Sequence, residues 1–298
     1  MIDSDYKRTP KELVARYKFE PSIHDLYVEG MADKVLFLNY IRSRSLKYNV
    51  YPIETVETKS LFKDSQDIAG YKENVGNKEK IERLSAFFEE GIGARSQCVF
   101  CICDRDHDTF FGEKVTNSYL RKTDFAALES YVFEEKVLNK FLFGLLRDKA
   151  PSGTKAIADL SPVVQFLFLV RITRYTINNS WVPVDIDRVI SFDKNGNSTF
   201  DLEEYLTKLT SNHKNVGVAK HRQDFIKQYS LFETNTSGID YRYVMHGHDF
   251  GIAINLYLKK LGCEHVTSDF IERVLLLTVD AEDLDKYALF REIAQCVR

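Results

Sequence analysis

The chain has 298 residues, 44% of them hydrophobic and 13% aromatic, with a formal net charge of −3 at pH 7. That length suits one large domain or two ordinary ones, and the composition is that of a globular protein with a sizeable core. The slightly negative balance excludes an overall basic field for recruiting nucleic acid, so any such contact must come from a local patch together with bound metal.

The first eighteen residues are charged and carry no apolar signal-peptide core, which predicts a cytoplasmic protein. Residues 10–18 read as a short amphipathic helix, 25–28 as a strand, 33–46 as a helix and 50–56 as a second strand. The polar stretch 59–77 reads as loop. Residues 78–90 place Ile81, Leu84, Phe87 and Phe88 at helical spacing, and 98–103 form a third strand. Strands alternating with helices predict a parallel sheet built from βαβ units.

Residues 123–143 read as helix and 148–153 as a linker. Beyond it come helical segments at 160–177, 201–209, 220–228, 249–261 and 268–296, with Gly262 as a helix-stop signal. The longest apolar run, 163–170, lies before Arg171 and is too short for a bilayer, so no membrane contact is expected. The pattern predicts an α/β domain over 1–150 and a mainly helical domain over 151–298.

Five cysteines occur, Cys98, Cys101, Cys103, Cys263 and Cys296. Their odd number and clustering argue against a secreted disulfide framework. Cys98 and Cys101 are three apart on a strand, hence on opposite faces, and read as buried reduced thiols.

Two acidic clusters carry the chemistry. In Leu26-Tyr27-Val28-Glu29-Gly30-Met31-Ala32-Asp33 an apolar run ends in Glu29, with Asp33 in the first turn of the next helix. In Val99-Phe100-Cys101-Ile102-Cys103-Asp104-Arg105-Asp106-His107-Asp108 a second run ends the same way. Asp104 and Asp106 share a side if the strand continues that far. Open α/β sheets bind ligands beyond the carboxyl ends of their strands. Like charges this close raise one another's pKa unless a cation compensates, so the clusters point to a hard divalent ion. Glu29 and Asp33 as ordinary helix N-terminal acids are the alternative.

A Tyr-Val-Glu-Gly-x-x-Asp segment followed by Cys-Asp-Arg-Asp-x-Asp resembles the Toprim signature shared by topoisomerases, bacterial-type primases and nucleases of the overcoming-lysogenization-defect type. With Thr123-Asp124-x-x-x-Leu128-Glu129-Ser130-Tyr131 and Gly247-His248-Asp249-Phe250, the chain looks most like stand-alone Toprim nucleases, above all the effectors of PARIS anti-phage systems. The resemblance implies a Toprim-like parallel sheet flanked by helices, followed by a mainly helical C-terminal domain. It implies that Glu29 is a metal ligand or general acid/base, that Asp104 and Asp106 hold Mg²⁺ (or Mn²⁺) with Asp33 in support, and that Asp124 and Glu129 complete a second metal position. Asp124 and Glu129 are five apart, and a helix turns roughly 100° per residue, so they reach one site only if Asp124 precedes the helix.

The function so implied is a metal-dependent endonuclease, the toxic effector of a bacterial defence system, cleaving host tRNA after release by a separate ATPase and active as a homodimer. DNA nicking, and a silent nucleic-acid-sensing module docked on an ATPase, are the alternatives. The chain has no Walker A loop, so ATP hydrolysis belongs to a partner.

Three further signals are weaker. Residues 193–204 place oxygen side chains as a calcium loop does, but Ser198 stands where glycine is required, and Asn195-Gly196 is a hairpin turn. His246-Gly247-His248-Asp249 reads as a helix opening with Asp249 as cap, His248 being an additional site candidate. Lys214, Lys220, Arg222 and Lys227 form the best basic stretch for a nucleic-acid backbone, with a solvated helix face as its alternative.

Overall fold

The computed structural model of the protein describes residues 7–62, 75–93, 99–112, 115–193, 195–263 and 267–296. The chain forms two compact units, Met1–Asp124 with Val279–Arg298, and Phe125–Thr278. The boundary thus falls at Asp124 rather than near 150, and the end of the chain returns to the first unit.

The first unit opens with α1 (Pro10–Phe19), where Thr9 and Glu12 exchange hydrogen bonds in a capping box ahead of Pro10. Next come β1 (Asp25–Val28), α2 (Met31–Ser43), β2 (Asn49–Pro52), α3 (Asn77–Ile92), β3 (Val99–Cys103), the single turn α4 (Asp108–Phe111) and β4 (Leu120–Lys122). The strands form one sheet in the order β2-β1-β3-β4, with every pairing parallel. β1 and β3 are buried along their whole length, which is why both read as continuous apolar runs rather than alternating ones. Tyr27, Cys101 and Cys103 pack with Leu13, Tyr17, Leu84 and Phe88 on one face; alternation sends Leu26 and Phe100 to the other.

At the amino end of β1, Asp25 is fully buried. It accepts from Tyr17 Oη at 2.7 Å, Asn49 Nδ2 at 2.8 Å and Arg16 Nη1 at 3.1 Å. A buried carboxylate is tolerated when its lone pairs are met in this way, so Asp25 is a structural anchor.

The second unit contains α5 (Glu135–Leu146), α6 (Gly153–Asn178), the hairpin β5 (Ile190–Phe192) and β6 (Ser198–Phe200), α7 (Leu202–Ser211), α8 (Arg222–Thr236), α9 (Gly247–Lys260) and α10 (Ser268–Leu277). Helix α6 alone among the described residues is long and apolar enough to cross a membrane, yet 67% of its most apolar window is buried in the protein. It contacts α5, α8 and α9, as the core helix of this unit. The hairpin forms where Asn195-Gly196 predicted it: Asp193 Oδ1 accepts the N–H of Asn195 at 2.7 Å and of Asn197 at 2.9 Å. Gly196 has φ +88°, and a Cβ there would strike Asp159 and Tyr257, so glycine serves the turn rather than a calcium loop.

The chain then returns to the first unit as α11 (Ala281–Leu284) and α12 (Ala288–Cys296). Phe290, fully buried, stacks on Phe37 at 5.5 Å and meets Tyr40 edge-on at 4.9 Å. Tyr40 Oη donates to Asp285 Oδ1 at 2.8 Å, and Tyr48 Oη to the Ile293 carbonyl at 3.1 Å.

Several expectations change. The helix expected over 123–143 is instead a 3₁₀ turn, Leu128–Val132, followed by α5. The helix expected over 268–296 is three helices, because Asp280 and the 285–287 segment interrupt it. Cys101 is a buried free thiol as expected, and Cys103 and Cys263 are free as well, whereas Cys296 is disulfide-bonded; Cys98 lies outside the described residues.

Phe290→Ala removes the ring between Phe37 and Tyr40 and should cost ~3–5 kcal/mol of stability. Urea denaturation of the variant against the wild type measures it.

Candidate metal centre

β1 delivers Glu29 to the carboxyl end of the sheet, and the chain turns at once into α2. Gly30 is the helix N-cap, and the Asp33 carboxylate accepts its N–H at 3.0 Å. Asp33 is therefore both a helix-capping acid and a neighbour of Glu29. β3 ends beside β1, and the Asp104 N–H donates to Glu29 Oε1 at 2.8 Å. That bond joins the two acid-bearing loops.

Strand β3 stops at Cys103, so strand alternation does not place Asp104 and Asp106 on one side as expected. Both lie on the turn that follows the strand. Asp106 takes φ +48°, a left-handed conformation that aspartate tolerates better than most residues. The turn is pinned from three sides. Arg105 N–H donates to Thr123 Oγ1 at 3.1 Å and its Nε to the Thr123 carbonyl at 3.2 Å. Lys78 Nζ lies 3.2 Å from Asp106 Oδ2 and 3.2 Å from Asp108 Oδ2, and donates to the Arg105 carbonyl at 3.0 Å. Lys122, at the end of β4, reaches Asp108 Oδ2 at 2.6 Å. Asn77 Nδ2, next to Lys78, holds the Glu29 carbonyl at 2.9 Å. The start of α3 thus touches both acidic loops.

The electrostatics follow. Burial pushes the Glu29 carboxyl up to about 8, the Asp104 N–H offsets part of that, and the charges of Asp33 and Asp106 add to it. Lys78 is shifted upward by Asp106 and Asp108, which outweigh its desolvation. Glu29 thus holds its proton to neutral pH unless positive charge comes near.

Among the described residues, no group of three His, Cys, Asp or Glu side chains is already drawn together for a metal ion. The donor chemistry nonetheless fits one. Carboxylate oxygens are the ligands of Mg²⁺, and a desolvated acid among acids gains most from a cation.

The other predicted residues lie elsewhere. Asp124 takes the first two N–H groups of α12, Ala288 at 2.9 Å and Leu289 at 3.3 Å, so the structure gives it a helix-capping duty. Glu129 belongs to the second unit, buried on the 3₁₀ turn, its carboxylate against the start of α9. A Cβ on Gly247 would overlap that carboxylate, which explains the glycine. Asp249 is not the cap of α9 but sits in its first turn, buried and bound by Arg171 Nε at 2.8 Å; His248 is exposed. Of the basic stretch, Lys214, Lys220 and Lys227 are exposed and Arg222 is ion-paired to Glu203, as on a solvated face.

Sequence reasoning missed Lys78, Asp108 and Lys122 as site residues. The regular Asp104-x-Asp106-x-Asp108 spacing was a signal for the second; the lysines carried none, Lys122 ending a strand of only three residues and Lys78 standing in the first turn of a helix. No family model matches the chain, and no curated protein matches its sequence.

Two outcomes test the geometry. Because the folded-state pKa of Glu29 is raised, its contribution to stability is fully present below about pH 4.5 and lost as pH rises towards about 8. Metal-free thermal midpoints should fall over that window, and Glu29→Gln should flatten the fall. Asp124→Ala should cost about 0.5–2 kcal/mol as a lost helix cap, measured by urea denaturation, and leave Mn²⁺ affinity unchanged; a lost Mn²⁺ site would restore it as a ligand.

Proposed function

We propose that this protein is a Mg²⁺-dependent endonuclease of the Toprim type, acting as the toxic effector of a bacterial anti-phage system. The observation that carries the reading is the meeting of Glu29 with the Asp104–Asp106 turn at the carboxyl ends of β1 and β3. The chain runs from β1 to β2 on one side and then crosses to β3 on the other side of β1, and such switch points are where open α/β sheets bind ligands.

Glu29, Asp104 and Asp106 would hold the ion, with Asp33 in support. A bound Mg²⁺ would neutralise the nonbridging oxygens of a phosphodiester and orient a water for in-line attack. In the metal-free site Glu29 keeps its proton, its carboxyl pushed up to about 8; a bound ion would displace that proton and take the carboxylate as a ligand, so ligation and general acid/base work are alternative roles for it. The Asp104 N–H fixes its Oε1 and so its orientation. Lys78 and Lys122 keep the Asp104–Asp108 turn in one arrangement, which spares reorganisation when substrate arrives.

The choice of tRNA over DNA, restraint by a separate cytoplasmic ATPase, and activity as a homodimer rest on the resemblance to the defence effectors. The intact acidic site favours catalysis over a silent sensing module.

Expression without the ATPase partner should be toxic, and Glu29→Ala should abolish toxicity, with a loss of about 10²–10⁴-fold in cleavage rate for a general acid/base alone. Equal toxicity of the variant would remove the catalytic role. RNA sequencing of intoxicated cells decides the substrate: discrete tRNA breaks support the proposal, and intact RNA with nicked plasmid replaces it by DNA nicking.

A further inference from the structure

Lys78 is the second residue of α3, and its ammonium is surrounded by oxygen. Asp106 Oδ2 and Asp108 Oδ2 lie at 3.2 Å each, and the Arg105 carbonyl lies at 3.0 Å. An ammonium has three donors; here two are accepted by the Arg105 carbonyl and Asp108 Oδ2, and the charge pairs with Asp106 on the same short turn. Asp108 also carries the ammonium of Lys122, whose side chain is only 5% exposed. Immobilising a lysine forfeits much rotamer freedom, so this is not a solvated surface pair. The simplest role is to relieve repulsion within the turn, but the position occupied is informative. The ammonium stands on the carboxylate of Asp106, on the β3 side of the centre, while Glu29 stands on the β1 side, tied to the turn through the Asp104 N–H.

On the metal reading above, on which this inference rests, we propose that Lys78 is the second cation of the site. The centre takes one divalent ion, held by Glu29, Asp104 and the other oxygen of Asp106, while the Lys78 ammonium supplies at Asp106 Oδ2 the positive charge that a second ion supplies in two-metal phosphodiesterases. Mg²⁺ demands oxygen ligands at about 2.0–2.1 Å in near-octahedral array. An ion bound to Asp106 Oδ2 would stand inside the contact distance of the ammonium and repel it, so it enters only by evicting Lys78 from all three partners. A tethered cation needs no ion from solution and loses no translational freedom on binding. Lys78 is in this sense a positioning residue: it fixes the turn and sets how many ions the turn admits.

Calorimetric titration of the full chain with Mn²⁺, paired with electron paramagnetic resonance counting of free ion, tests this without reference to activity. The wild type should bind one Mn²⁺ per chain, Lys78→Arg one, and Lys78→Met two, the second more weakly. Two ions in the wild type, or one in Lys78→Met with unchanged affinity, would overturn the assignment. No ion in any of the three would overturn the metal reading itself, a separate outcome. Should Lys78→Met fail to fold, judged by far-ultraviolet circular dichroism, the wild-type stoichiometry and Lys78→Arg still decide.

Discussion

The hydrogen bond from the Asp104 backbone to the Glu29 carboxylate, 2.8 Å long, is the interaction on which the rest of the first unit's chemistry depends. It exists because β1 and β3 are adjacent and parallel, so the two chains leave the sheet at the same edge. Each exit is tight. Gly30 turns β1 into α2, and the left-handed Asp106 turns β3 into α4. Without that bond a buried Glu29 would lose one of its few compensations for desolvation. With it, the carboxylate is fixed in direction but kept short of positive charge. Asp25 at the other end of β1 makes the contrast: it is buried even more completely than Glu29, but Tyr17, Asn49 and Arg16 satisfy it. One strand thus carries a quieted acid at its start and an acid under electrostatic tension at its end, and only the second is suited to chemistry.

Much of this arrangement was legible in the sequence. Continuous apolar runs of three and five residues ending in carboxylates located β1, β3 and Glu29, and the regular pattern of 78–90 located α3. The parallel sheet with flanking helices followed from strands alternating with helices. What escaped depended on contacts distant in the chain. β4 is too short to show a period, so nothing in the sequence singled out Lys122. Asp124 read as a site acid because the helix it caps lies 164 residues further on. The return of α12 to the first unit has no local signature either, since Phe290 declares itself only by meeting Phe37 and Tyr40.

The second unit shows how motif-like residues serve structure. Gly247 admits the Glu129 carboxylate at the start of α9, where an acid also complements the helix dipole. Asp249, one turn in, is met by Arg171 from α6. These groups make a polar joint between the 3₁₀ turn, α9 and α6. Removing one partner of such a buried pair leaves a charge unsatisfied, so loss of function on mutating them says little about catalysis unless folding is measured beside it. The Asp193 turn makes the same point, its carboxylate being spent on its own backbone.

The central claim is that a divalent ion is held at Glu29 and the turn after β3. Localised backbone cleavage tests it most directly. Fe²⁺ loaded in place of Mg²⁺, with ascorbate and hydrogen peroxide, generates hydroxyl radicals that cut the chain beside the bound ion. The account predicts cuts within residues 29–33 and 104–108, suppressed by excess Mg²⁺. Cuts confined to residues 193–204, or none that Mg²⁺ suppresses, would contradict it.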